Sequence, residues 1–241
     1  RDMVDENGNP VLSKSGKHVK APFILSVENK VELLKKMIAA GFKVIEVGSF
    51  VHPVKVPQMA NTDEVFKAIL AEGVPEDVEL RALIPHARGV DRAVACGCKK
   101  VKLNVSASKG HNIANLNCTP AESVAKFKEC VEKAQANGIG ISGSISMAFG
   151  SPWDYNGVPI DDVKEIVEAY MNVGITEISL SDASGMAYPT QVYDICTEMK
   201  KCYPENNWWL HFHNTRGLAI ANIFAGMQAG FYQFDASFAG V

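Results

Sequence analysis

The chain has 241 residues, 47% of them hydrophobic and 21% charged, with a formal net charge of -3. That length suits one large α/β domain or two small ones, and the composition is that of a globular enzyme with ample core material. The charge balance leaves no footprint for nucleic acid or an anionic membrane, and no apolar run reaches spanning length. Residues 1–6 do not read as a signal peptide, so a cytoplasmic protein is expected. The six cysteines (Cys96, Cys98, Cys118, Cys130, Cys196 and Cys202) form no C-x-x-C pair and are expected to be free thiols.

In chain order, a long polar segment over 4–22 opens the sequence, with a turn expected at 7–10. An amphipathic helix follows, with Val31, Leu34 and Ile38 on one face, and ends at Gly41. From there one pattern recurs: helix, glycine, apolar strand. The turn glycines are Gly41, Gly73, Gly97, Gly138, Gly174 and Gly230, each placed where a helix end calls for a left-handed residue. Thr119, Pro120 and Glu122 form a capping box that opens a helix carrying Val124, Phe127 and Val131 on one face. Strands are expected at 43–47, 78–84, 100–105, 140–146, 177–180, 208–213 and 233–237. Near-continuous apolar strands alternating with helices indicate a parallel sheet covered by helices. No glycine-rich phosphate fingerprint follows the first strand, which argues against a dinucleotide-binding fold. A single α/β domain over 1–241, a (β/α)8 TIM barrel with one strand unaccounted for, is the expected architecture.

Polar residues gather at one end of these strands: Glu46, then Asn104 and Ser106, Ser144 and Ser146, Ser179 and Asp182, His211 and His213, Asp235 and Ser237. In a barrel those ends converge on the mouth where active sites are built. His211 and His213 are spaced i, i+2 on a strand, so both imidazoles face the same side and can hold a divalent metal. A carboxylate from Asp2, Glu46, Asp182 or Asp235 would complete a two-His, one-carboxylate set. Glu46 interrupts an apolar strand, so it must meet a cation, a donor or the site. Asp182 begins a strand-to-helix turn, where a helix-capping role is the ordinary alternative.

Several blocks, in order, resemble the 3-hydroxy-3-methylglutaryl-CoA lyase family of metal-dependent TIM-barrel lyases. They are Gly41-Phe42-Lys43-Val44-Ile45-Glu46-Val47-Gly48-Ser49-Phe50-Val51, Val56-Pro57-Gln58-Met59-Ala60, Asn117-Cys118-Thr119, Glu177-Ile178-Ser179-Leu180-Ser181-Asp182, the stretch from His211 to Gly217, and Phe234-Asp235-Ala236-Ser237-Phe238-Ala239-Gly240. The resemblance implies His211, His213 and Asp2 as metal ligands and Arg1 as stabiliser of an enolate. It implies Glu46 as the group orienting that arginine or the substrate, and Asp182 as acid or base. Ser49 and Ser179 would lie near substrate, with Asn104 and Ser106 joining them from the third strand. It further implies a magnesium or manganese cofactor, an acyl-CoA substrate, a homodimer, and cleavage of a 3-hydroxyacyl-CoA to acetyl-CoA and a 3-oxoacid such as acetoacetate.

The sequence also departs from the family. Met3 stands where the family has glycine, Ser142 where it has arginine, and Asn214 where it has aspartate. The family's first strand would precede Arg1, and its cysteine loop and asparagine ligand would follow Val241, so the chain reads as trimmed at both ends. Two other functions compete: a metal-dependent aldolase or condensing synthase acting on 2-oxoacids, and a non-catalytic acyl-CoA-binding barrel. The 56–60 block argues against the synthase.

Overall fold

The computed structural model describes all residues except 1, 2, 4, 6–8, 13–16, 18–22, 155, 156 and 239–241. Arg1 and Asp2 therefore lie outside the described residues. Residues 7 and 8 of the turn expected at 7–10 also lie outside the described residues; Asp5 and Asn9 beside them exchange hydrogen bonds through their backbones and the Asp5 carboxylate.

Seven parallel strands form one sheet in sequential order: β1 Val44–Ser49, β2 Glu79–Ile84, β3 Lys100–Ser106, β4 Gly140–Ser146, β5 Glu177–Asp182, β6 Asn207–Phe212 and β7 Gln233–Asp235. The helices between them are α1 Val27–Ala39, α2 Thr62–Glu72, α3 Ala87–Cys96, α4 Lys109–Leu116, α5 Pro120–Val124, α6 Phe127–Ala136, α7 Ile160–Asn172, α8 Pro189–Cys202 and α9 Ala219–Gln228. Sequential order with every strand parallel is the winding of a TIM barrel, in which each helix returns the chain to the next strand. All seven strands stand where the sequence pattern places them, to within two residues at each end. The six turn glycines all have positive φ; at Gly97 the residue is fully left-handed and caps α3.

The helix expected after the Thr119 capping box is the one element that differs. The box forms as expected, but the helix breaks at Ala125 and Lys126 into α5 and α6. Two anchors pull on either side of the break. Ser123 on α5 accepts from Asn112 of α4 at 2.9 Å, while Phe127 on α6 stacks on Tyr170 of α7 with ring centroids 4.3 Å apart.

The strand faces divide cleanly. Leu80, Ala82, Ile84, Val101, Leu103, Val105, Ile178, Leu180 and Leu210 are buried towards the helices. The opposite face is polar: Glu46, Arg81, Lys100, Lys102, Asn104, Ser142, Ser144, Glu177, Ser179, His211 and Asp235 alternate with them along the strands, as period-two geometry requires. At the lower end of this inner face, Arg81 meets Glu79 at 2.6 Å and Glu177 at 2.8 Å, and Lys100 meets Glu177 at 2.7 Å. The Arg81 guanidinium also lies 5.3 Å from the Trp209 ring centroid. Among the described residues no helix is long and apolar enough to cross a membrane.

Candidate active site at the barrel mouth

His211 is the last inner-facing residue of β6 and His213 follows the strand, and their ring centroids stand 5.1 Å apart, edge to face. Strand pairing sets His211 opposite Asp235 of β7, and the His211 Nδ1 bonds directly to the Asp235 carboxylate. The other Asp235 oxygen accepts from Lys102 Nζ at 2.7 Å, and the same ammonium lies 3.4 Å from the Glu46 carboxylate. Burial pushes the Asp235 carboxyl up, but the His211 hydrogen bond and the Lys102 charge outweigh it and hold the group down at about 2. Desolvation works against the Lys102 cation too, yet Glu46 and Asp235 raise its affinity for the proton overall. Desolvation, with His211 beside it, lowers His213, so this imidazole is neutral near pH 7.

A bulge in β1 decides where Glu46 and Ser49 point. The register with β2 slips between Glu46 and Gly48, so Glu46 pairs with Arg81 and Ser49 with Leu83, both inner positions. Gly48 is turned outwards, where a Cβ would stand 2.7 Å from Thr62 Oγ1 of α2. Glycine is thus required for the bulge to pack, and the bulge brings two candidate residues to one face. The Ser49 hydroxyl donates to the Leu83 carbonyl at 3.2 Å.

Asn104 Oδ1 accepts from the Ser146 hydroxyl at 2.9 Å, across β3 and β4. Ser106 Oγ lies 2.9 Å from His111 Nδ1 and accepts the Ser108 amide, fixing the loop after β3. Ser179 sits on the inner face of β5, and its buried hydroxyl has no hydrogen-bond partner; the same holds for Trp209 Nε1 on β6. Two orphaned polar atoms on the inner wall suit a polar ligand in the barrel.

Asp182 stands apart from the inner-face candidates in the described structure. It shares the outer parity of Ile178 and Leu180 and is fully buried. Its oxygens accept the backbone amides of Met186 at 2.9 Å and Ala187 at 3.0 Å, and its own carbonyl takes the His213 amide at 3.2 Å. The side chain anchors the loop after β5 without capping a helix, since α8 opens at Tyr188 with no side-chain cap, and its charge partly offsets the desolvation of His213.

Sequence reasoning passed over Lys102 and left Asp235 as one carboxylate among four. The signal was there: Lys100, Lys102, Asn104 and Ser106 alternate with Val101, Leu103 and Val105, a period-two pattern with its polar half facing a barrel interior.

For a metal, the donor set fits in part. Among the described residues no group of three or more His, Cys, Asp or Glu is arranged to hold an ion. His211 and His213 supply two imidazoles on one face, and with Nδ1 of His211 engaged by Asp235, Nε2 is the nitrogen that would face an ion. The third group that the resemblance implies, Asp2, is outside the described residues.

A family model described as HMGL-like matches residues 15–241. The chain belongs to the HMGL-like family. The (R)-citramalyl-CoA lyase of Chloroflexus aurantiacus is 37% identical, over 91% of this chain and 71% of its own length. A hydroxymethylglutaryl-CoA lyase of Bacillus subtilis is 34% identical over 91% of this chain and 72% of its own. Among solved structures, an HMG-CoA lyase from Acinetobacter baumannii in complex with coenzyme A and 3-methylmalate superposes with a TM-score of 0.85 at 36% identity, covering 91% of this chain and 70% of that one. The carboxyl transferase domain of Rhizobium etli pyruvate carboxylase, at 17% identity and a TM-score of 0.56, shares the fold alone. The TIM-barrel and lyase-family expectations both hold.

Proposed function

We propose that this chain is the catalytic barrel of an acyl-CoA lyase that cleaves 3-hydroxy-3-methylglutaryl-CoA, or a close 3-hydroxyacyl-CoA, to acetyl-CoA and a 3-oxoacid. The observation that carries the reading is the pair His211 and His213, set on one face at the barrel mouth with His211 locked by Asp235. Relatives named for hydroxymethylglutaryl-CoA and citramalyl-CoA support the substrate class.

The reaction is a retro-Claisen cleavage. The tertiary hydroxyl loses its proton, the adjacent C–C bond breaks, and its electron pair passes to the thioester fragment as an enolate. That enolate then takes a proton at carbon from solvent to become acetyl-CoA. His211, His213 and Asp2 would hold a magnesium or manganese ion, which supplies acidification of the substrate hydroxyl. Glu46 is the partly exposed carboxylate on the inner face, and it accepts the hydroxyl proton and returns it to solvent. Arg1 would, on the family resemblance, be the group that stabilises the enolate charge on the thioester oxygen. Ser179 offers its unpartnered hydroxyl to the substrate, and Asn104, Ser106 and Ser49 shape the surrounding wall. A homodimer in the cytoplasm completes the reading.

The test is to incubate the full-length protein and Mn²⁺ or Mg²⁺ with 3-hydroxy-3-methylglutaryl-CoA, citramalyl-CoA and, separately, free 2-oxoacids. Acetyl-CoA release from a thioester is expected. Turnover of the 2-oxoacids alone would replace this reading with an aldolase or synthase.

A further inference from the structure

Lys102 has no place in the chemistry above, yet its placement in the molecule is unusual. Its side chain is 9% exposed, on the inner face of the interior strand β3. A buried ammonium is costly unless opposite charges surround it. Here the two carboxylates that surround it come from the two edge strands: Glu46 of β1 at 3.4 Å and Asp235 of β7 at 2.7 Å. One cation therefore draws the sheet's opposite edges towards a single point. Asp235 spends one oxygen on Lys102 and the other on His211 Nδ1.

We propose that Lys102 is a positioning residue for the metal site: it fixes the Asp235 carboxylate so that His211 carries its proton on Nδ1 and presents Nε2 to the ion. Without the ammonium, the Asp235 carboxylate can rotate, and the imidazole loses both its orientation and its tautomer preference. Partners of a ligating histidine tune metal affinity by about 10–100-fold when removed. The inference rests on the reading of His211 as a metal ligand. It adds a strand-to-strand chain, Lys102 to Asp235 to His211, that ties metal affinity to the closeness of the two sheet edges.

The test is Mn²⁺ titration of the full-length protein, read by the EPR signal of the free ion, in wild type, His211→Ala, Lys102→Met and Lys102→Arg. Lys102→Met is expected to weaken Mn²⁺ binding by up to about 10-fold, the low end of what removing a ligating histidine's own partner costs, since Lys102 acts through Asp235, with Lys102→Arg recovering most of the loss. Nitrogen NMR of the metal-free wild type is expected to show the His211 proton on Nδ1, and Lys102→Met a mixture of tautomers. If Lys102→Met does not fold, the charge-balanced pair Lys102→Met with Glu46→Gln takes its place in both measurements. Wild-type affinity and an unchanged His211 tautomer in the Lys102 variant, while His211→Ala abolishes binding, would overturn the positioning role and leave the metal site standing. Binding unaffected by His211→Ala would overturn both.

Discussion

At the scale of single residues, the site turns on which carboxylates are free to act. Asp235 is saturated by His211 and Lys102, and Asp182 by the backbone of its own loop. Glu46 keeps the most exposed flank of the three, its side chain being 39% exposed against 29% for the doubly bonded Asp235. Glu46→Gln is therefore expected to lower kcat for thioester cleavage by about 10²–10⁴-fold, the usual worth of a positioned general base. Mn²⁺ affinity should change far less. A variant within a few-fold of wild-type kcat would remove Glu46 from proton transfer. The sequence made Glu46 conspicuous because a lone acid in an apolar strand demands a partner. Alternation with Ile178 and Leu180 gives Asp182 its outer parity in the sequence, but not the Met186 and Ala187 amides that hold it, because those depend on how the loop folds back.

Among the elements, β3, β4 and α7 are joined by one side chain. The hydroxyl of the fully buried Tyr170 donates to the carbonyls of Leu103 at 2.8 Å and Ser144 at 3.1 Å, and its ring covers Gly143. A Cβ at Gly143 would stand 2.9 Å from that ring, closer than packing allows. Gly143→Ala should then cost about 1–3 kcal/mol of stability, as overpacking of a filled core does. Urea denaturation checks it, and an unchanged midpoint would mean that α7 can shift without penalty. Strands and turn glycines were legible in the sequence because period and punctuation are local. The break between α5 and α6 was not, because it is set by Asn112 and Tyr170, which lie in other elements. The β1 bulge was equally hidden: the sequence shows Gly48 but not the Thr62 contact that requires it.

For the molecule as a whole, the lower end of the sheet's inner face carries a buried charge cluster. Arg81 is 4% exposed and depends on Glu79 and Glu177 for compensation. Burial raises the Glu177 carboxyl, but Lys100 and Arg81 together bring it below its ordinary value of 4.5. A carboxyl depressed in the folded state contributes stability above its unfolded value, and that contribution is lost as pH falls through the folded value. Glu177→Gln should therefore destabilise the protein by roughly 3 kcal/mol at pH 7, as breaking a buried pair does, and by progressively less below pH 4.5. Thermal unfolding across pH 3–7 (about the range where carboxylates titrate) measures this; a gap that stays constant would contradict it.

The central claim is that a divalent ion held by His211 and His213 enables this barrel to cleave a 3-hydroxyacyl-CoA. Its most direct test is acetyl-CoA release from 3-hydroxy-3-methylglutaryl-CoA by the full-length protein, stripped with a chelator and then resupplied with Mn²⁺ or Mg²⁺, beside His213→Ala treated alike. The account predicts loss of release on stripping, recovery on resupply in wild type, and no recovery in the variant. Release that survives chelation, or that His213→Ala regains as fully as wild type, would contradict it.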